Sequence, residues 1–274
     1  MIEPIDRYLD AAPRPDAGVI DTGAFTLFVS RTPWRYYARP ALGLDRPIQK
    51  ADLDALAVLC EELGVALEIE WVREARPELE AVAALYGLDL RTHSLLSAAA
   101  ERVHAAEVDG VTIRVVSSSE DPALVAGRAV ADVSFGFGGT ATGNPGAAER
   151  NAAELLLSPE LVAHLRYRAA SGLTVTAVAE AALAGVVAVG AYQPVGDAAE
   201  LVAIATLPCA RRRGVAGALT ARLARHALDH GVSTLLLSAQ DDDVARIYQR
   251  AGFARVGVAV AAHADRRMPE LAEA

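Results

Sequence analysis

The stretch LPCARRRGVAGALTARLARHA, residues 207–227, decides how the chain is read. Three arginines run into a glycine and then into an amphipathic helical pattern, directly after an apolar segment. Arg211, Gly214 and Ala216 stand in the order R-x-x-G-x-A at the opening of that helix. The first turn of a helix leaves backbone N–H groups without partners and carries the positive end of the macrodipole. Gly214 lets the chain turn without a Cβ in the way. Small Ala216, Gly217 and Ala218 let a diphosphate approach those amides, and Arg212 and Arg213 add charge-assisted bonds to a further phosphate. Taken alone, the same pattern also fits ordinary capping of a basic helix start. Neither G-x-G-x-x-G nor G-x-x-x-x-G-K-[ST] is present, and the single lysine is Lys50.

The chain of 274 residues is long enough for one large core or two ordinary ones. Its formal net charge of −9 disfavours bulk nucleic-acid binding, which needs a cationic face. Two cysteines, Cys60 and Cys209, cannot build a disulfide framework or a thiol-rich metal site. The opening MIEPIDRYLD lacks the basic and apolar regions of a secretory signal, and no run reaches the ~18 apolar residues of a membrane helix. A cytoplasmic protein without membrane or metal is the expectation.

Hydrophobic periodicity predicts alternating strands and helices, the signature of an α/β fold. Residues 1–23, rich in Pro and Asp, read as irregular. A strand over 24–32 is followed by a helix closed by Gly64, a strand over 65–72, a helix closed by Gly87 and a strand over 88–96. A small, charged stretch around 98–109 marks the boundary between an N-terminal domain, 1–105, and a C-terminal domain, 106–274. The second opens with a strand over 111–118 and a helix over 122–133, then a Gly-rich loop, FGFGGTATGNPG, over 135–146. Helical sequence over 147–170 and strands over 173–178, 183–192 and 201–207 lead into the opening segment. The strand STLLLSA, apolar on both faces as a buried parallel strand should be, precedes the helix DDDVARIYQRAG and a last strand, FARVGVAVA. Helix–Gly–strand junctions at Gly64 and Gly87 recur at Gly231 and Gly252 with nearly one offset, which reads as a duplication or as punctuation that any two α/β units share. The first copy has no arginines and no glycine loop at Pro47–Ile48–Gln49, so chemistry belongs to the second.

The run from ELVAIATLP through RRRGVAGALTARLARHALDHG and STLLLSAQ to DDDVARIYQRAGF closely resembles the GNAT superfamily of acyl-CoA-dependent N-acetyltransferases. Arg211, Gly214 and Ala216 fall on its [QR]-x-x-G-x-[GA] motif. Ile247–Tyr248 and Gly252–Phe253 fall on its L-Y-x-x-x-G-F motif. The asparagine that often precedes the final helix is Asp241 here. The resemblance implies a mixed central sheet flanked by helices, with a degenerate GNAT-like α/β unit at the N-terminus. It implies acetyl-CoA as cofactor, bound by Ala205, Thr206 and Leu207 at the pantetheine and by Arg211, Arg212, Arg213, Gly214, Val215, Ala216, Gly217 and Ala218 at the pyrophosphate. It implies a splay between the strand ending at Leu207 and the next one.

Acyl transfer to an amine passes through an oxyanion, so a fixed N–H near the thioester carbonyl matters most. Tyr248 is the candidate acid for the leaving thiolate, though the same residue also suits packing beside Val244, Ile247 and Ala251. Glu200 is the candidate base for the amine, or else a solvated edge carboxylate. Cys209 lies near the expected thioester with nothing beside it to activate a thiol. Asp241–Asp242–Asp243 reads as a helix cap rather than a calcium loop, and His226 and His230 as a solvated helix face. Phe135 and Phe137, on the Gly-rich loop, suit contact with substrate under a mobile lid, or a plain surface loop. TPWRYYARP, residues 32–40, suits one wall of the acceptor cleft or a cover over core. The expected function is direct acetyl transfer from acetyl-CoA to a primary amine of a small molecule or peptide, or, without turnover, an acyl-CoA-binding sensor. The acidic balance favours a cationic acceptor such as a polyamine, an aminoglycoside or a basic peptide.

Overall fold

The computed structural model describes residues 2–32, 37–104 and 107–264, the Ala100 side chain apart. The backbone forms two compact units: one runs up to His93 and takes in the segment from Gly257 onward, the other is Ser94–Val256.

The first unit starts with a helix, α1 (Ile2–Ala11), and a strand, β1 (Ala17–Asp21), where the sequence reads as irregular. Ile5 and Tyr8, three apart on one helix face, are both buried, and Pro4 sits in the first turn, where its missing N–H is harmless. Composition concealed a short amphipathic helix. After it come β2 (Phe25–Ser30), β3 (Ala38–Pro40), α2 (Lys50–Leu63), β4 (Glu68–Val72) and α3 (Leu79–Tyr86). Of the segment 32–40, residues 33–36 lie outside the described residues. β1, β2 and β3 are antiparallel, β4 runs parallel to β3, and β4 pairs antiparallel with the final strand, β11 (Phe253–His263). Leu53, Leu56, Ile69, Trp71 and Leu79 fill the core, and Gly64 and Gly87 end α2 and α3 in the left-handed conformation.

The second unit contains the end of β5 (Asp89–Ala98), then β6 (Val111–Val115), α4 (Ala123–Phe137), α5 (Ala147–Glu154), α6 (Pro159–Ala170), β7 (Val175–Ala181), β8 (Gly185–Val195), β9 (Ala198–Thr206), α7 (Val215–Asp229), β10 (Thr234–Ala239) and α8 (Asp242–Arg250). Its sheet order is β5-β10-β9-β8-β7-β6; only the β9–β10 pair is parallel. Adjacent residues of β8 show how the layers form. A Cβ at Gly127 of α4 would press on Val189, and one at Gly190 would press on Leu219 and Leu223 of α7. Successive side chains of a strand point to opposite faces, so α4 covers one face of the sheet and α7 the other. Each fully buried leucine of α7, such as Leu219 or Leu223, contributes about 1.5–3 kcal/mol by leaving water.

One correction falls on the Gly-rich loop. α4 continues through Phe135 and Phe137 and stops only at Gly138, whose φ of +69° ends the helix. The loop proper is residues 138–146.

Candidate active site

β9 and β10 pair only at Ala198, Ala199 and Glu200 against Thr234, Leu235 and Leu236. Beyond Glu200 the two strands part, so β9 has a free edge over its last six residues. On its other edge β9 stays paired with β8 as far as Thr206. Opposite Gly190 that ladder skips a residue of β9, and Ala203 takes φ +54°, a left-handed conformation unusual for a side-chain-bearing residue. The bulge bends the free edge. Nothing in an alanine announces it, and sequence reasoning missed it.

Ladder alternation fixes which groups face the gap. Leu207 N donates to Val187 O of β8 at 2.9 Å. Its neighbour Thr206 therefore turns its N–H and C=O away from β8, toward the parted strands. The carbonyl accepts from Arg211 Nε at 3.1 Å, in agreement with that orientation. Thr206 Oγ1 is buried and likewise unpartnered among the described residues.

After β9 a single 3-10 turn, Pro208–Ala210, leads to the mouth of α7. Arg212 has φ +64° and Gly214, the N-cap, φ +83°. These two left-handed residues curl the backbone so that its amides converge. Among the described residues no acceptor meets the N–H groups of residues 212–217; the first satisfied amide is that of Ala218, bonded to Gly214 O at 3.1 Å. No acidic residue stands in the first turn, and a Cβ at Gly217 would meet nothing within 4 Å. Arg212 is exposed and bonded to none of the described residues, whereas Arg213 reaches Asp109 O at 3.4 Å. Such a mouth is chemically an anion site.

The corresponding helix of the first unit shows the contrast. At α2 the N3 residue is Asp52, whose Oδ2 accepts from Gln49 N at 2.8 Å and pairs with Arg46. The Arg46 guanidinium holds the Asp52 carboxyl below the usual carboxylate range. A carboxylate of the chain itself already occupies that mouth.

The remaining candidates fall as follows. Tyr248 lies on α8 with its ring edge-on to Phe253; burial pushes its hydroxyl up to about 12, and no described residue bonds it. Glu200, half-buried, stands at the last rung where β9 and β10 still pair. Arg211, read as a phosphate ligand, has its guanidinium taken up by backbone carbonyls of Thr206, Ser134, Gly138 and Ala141. Phe137 packs against Gly143 and faces the Arg211 guanidinium, while Phe135 is exposed. Cys209 is an exposed thiol whose Sγ lies 3.0 Å from where a Gly146 Cβ would stand. Asp241 caps α8, accepting from Val244 N at 2.8 Å, as its sequence suggests. His226 is not on a solvated face: its Nδ1 lies 3.0 Å from the Tyr192 hydroxyl, and its ring stacks on His230. Among the described residues no group of His, Cys, Asp and Glu is arranged to hold a metal ion, and no helix is long and apolar enough to cross a membrane.

Residues 148–253 match the model of the acetyltransferase (GNAT) family. In solved structures the fold is similar to a GCN5-related N-acetyltransferase from Kribbella flavida (TM-score 0.74, 20% identity, covering 97% of this chain and 96% of that one). It is also similar to a tandem GNAT protein from the clavulanic acid biosynthesis pathway (TM-score 0.59, 13% identity, 91% and 83%). A putative GNAT acetyltransferase from Novosphingobium aromaticivorans matches with a TM-score of 0.56 at 16% identity, over 94% and 96%. No protein of curated function matches the chain in sequence. The family's model spans α5 to the start of β11, so the GNAT acetyltransferase match is to residues 148–253, and the parted strands and the open helix mouth lie within that span.

Proposed function

We propose that the protein is an N-acyltransferase that moves an acetyl group directly from acetyl-CoA to a primary amine of a small molecule or peptide. The observation that carries this reading is the mouth of α7, whose amides over 212–217 meet no acceptor among the described residues and open beside the free edge of β9. Those amides suit a diphosphate, with Val215, Ala216, Gly217 and Ala218 small enough to admit it and Arg212 and Arg213 adding charge. Ala205, Thr206 and Leu207 form the rim along which the pantetheine arm lies. Acetyl-CoA bound there supplies the acyl group as an activated thioester.

The chain's own groups then divide the work. Amides on the free edge of β9 near the Ala203 bulge are donors for the negative charge that develops on a carbonyl oxygen. Glu200 stands three residues before the Ala203 bulge, about 10 Å of strand, and six before Thr206, about 20 Å. As a base it therefore serves a reacting carbon near the bulge, through water. Tyr248 keeps its proton at every physiological pH because burial holds it at about 12. A thiol titrates near 8.5, so the larger part of its role is a hydrogen bond to the departing sulfur. We assign the chemistry to the C-terminal domain, 106–274, and a packing role to a degenerate copy, 1–105. The free thiols of Cys60 and Cys209 fit a reducing, cytoplasmic setting.

The test combines thiol release from acetyl-CoA, over a panel of polyamine, aminoglycoside and basic-peptide acceptors, with calorimetric titration of CoA. Release with at least one amine and one CoA per chain are expected. A second equivalent of CoA would mean that the α2 mouth also binds, against the Asp52 cap. Tight CoA binding without release on any amine would replace the enzyme by a sensor, and no binding would end both readings.

A further inference from the structure

The structure gives Arg211 a different task from its neighbours. Its Nε donates to Thr206 O at 3.1 Å, Nη2 to Ser134 O at 2.9 Å, and Nη1 to Gly138 O at 2.9 Å and Ala141 O at 3.1 Å. The guanidinium carbon also lies 5.3 Å from the centre of the Phe137 ring. One side chain thus joins the end of β9, the last turn of α4 and the loop 138–146. Two backbone bonds repeat the connection, Gly143 N to Pro208 O and Cys209 N to Pro145 O, each 3.2 Å. All of Arg211's recorded bonds go to neutral carbonyls, and no carboxylate among the described residues pairs with it. A guanidinium fork in this position orients backbone by several donors at once, which an ammonium cannot do.

Two further atoms mark this junction as more than a fastening. Ser134 Oγ and Thr206 Oγ1, on two of the residues whose carbonyls Arg211 holds, are both buried without a hydrogen-bond partner. Buried hydroxyls are normally satisfied, and a purely structural joint would gain by satisfying or removing them.

We propose that Arg211 is a positioning residue of the acceptor side: it fixes the loop 138–146 onto the rim of β9 through the Thr206 carbonyl, without touching phosphate. This rests on the acyltransferase reading of the same site. The expectation is a split between the two substrates. Replacing the fork should raise KM for the amine and lower kcat while leaving CoA affinity unchanged.

The experiment uses the full chain with Arg211→Lys, which keeps the charge and loses the fork, and Phe137→Leu, which removes the ring beneath it. Arg212→Ala serves as the phosphate-side comparison. Three quantities are measured: CoA affinity by calorimetry, steady-state constants for acetyl-CoA and amine, and amide hydrogen exchange of peptides spanning 138–146. For Arg211→Lys we expect CoA affinity within twofold of the parent, kcat/KM for the amine reduced at least tenfold, and faster exchange in the loop. Phe137→Leu should shift the same readings less and stands in should the lysine variant not fold. Arg212→Ala should weaken CoA five- to tenfold and leave loop exchange alone. Loss of CoA affinity in Arg211→Lys with loop exchange unchanged would make Arg211 a phosphate ligand and overturn the proposal. A lowered Tm with both KM values and loop exchange unmoved would make it merely structural and overturn it equally. Were the parent to bind no CoA, the acyltransferase reading would fall first, while loop exchange would still report on the tether.

Discussion

Tyr248 is the residue whose environment says most about its use. It is almost fully buried, which suits core packing beside Phe253, yet its hydroxyl bonds to no described residue. A structural tyrosine at such depth usually places its O–H on a partner. Removing an unpartnered hydroxyl leaves folding stability unchanged or slightly raised. Tyr248→Phe is therefore expected to keep its Tm and its CoA affinity and to lose roughly 10- to 100-fold in kcat, the scale of one hydrogen bond to a charged atom. Thermal melting, calorimetry and thiol release check the three parts; an unchanged kcat would return Tyr248 to the core. Gly252 beside it has the opposite logic. With φ +103°, and with a Cβ that would fall 2.2 Å from Arg102 O, glycine is required there for shape alone.

At the scale of elements, two helix starts decide where an anion goes. α2 and α7 both follow a strand-to-helix turn, and both have a short residue at the N3 position. At α2 it is Asp52, which reaches back to the N-cap amide; at α7 it is Gly217, which reaches nothing. Transplanting the first solution onto the second tests the idea. In Gly217→Asp the carboxylate enters open space, so no clash opposes it, and the macrodipole favours it by about 0.3–1 kcal/mol. The expected outcome is a helix as stable as the parent's or more so, with CoA affinity reduced at least tenfold in calorimetry. Retained affinity would show that the diphosphate does not use this mouth. The contrast was legible in sequence as the arginine–glycine run against Pro47–Ile48–Gln49. That Asp52 itself fills the α2 mouth was not legible, because a cap is defined by which amide a carboxylate reaches.

For the whole molecule, acid stability follows from groups outside the reacting centre. His226 links α7 to β8 through the Tyr192 hydroxyl, and burial, with His230 and Arg222 nearby, holds its pKa below the ordinary 6.5. Below that pH the unfolded chain binds a proton that the folded chain resists, so stability falls as pH drops through 6.5. The carboxyls of Asp52, Asp121 and Asp242, held low by Arg46, Arg114 and Arg255, add their losses only in the more acidic carboxylate range. Tm should therefore decline between pH 7.5 and 5.5, and His226→Gln should flatten that decline; an equal slope in the variant would remove His226 from the account. By itself the sequence determined the α/β alternation, the helix-ending glycines and the basic, glycine-bearing start of α7, because periodicity, left-handed turns and helix capping are local properties of neighbouring residues. Only the tertiary structure decided that residues 2–11 are a helix, that Phe135 and Phe137 belong to α4, that β9 bulges at Ala203 and parts from β10 after Glu200, and that Arg211 holds a loop some 70 residues away in sequence. The two helical segments are settled by the packing of their apolar faces, whereas the bulge, the parting and the Arg211 tether depend on which distant backbone group lies within hydrogen-bonding reach, a distance that no pattern of neighbours along the chain contains.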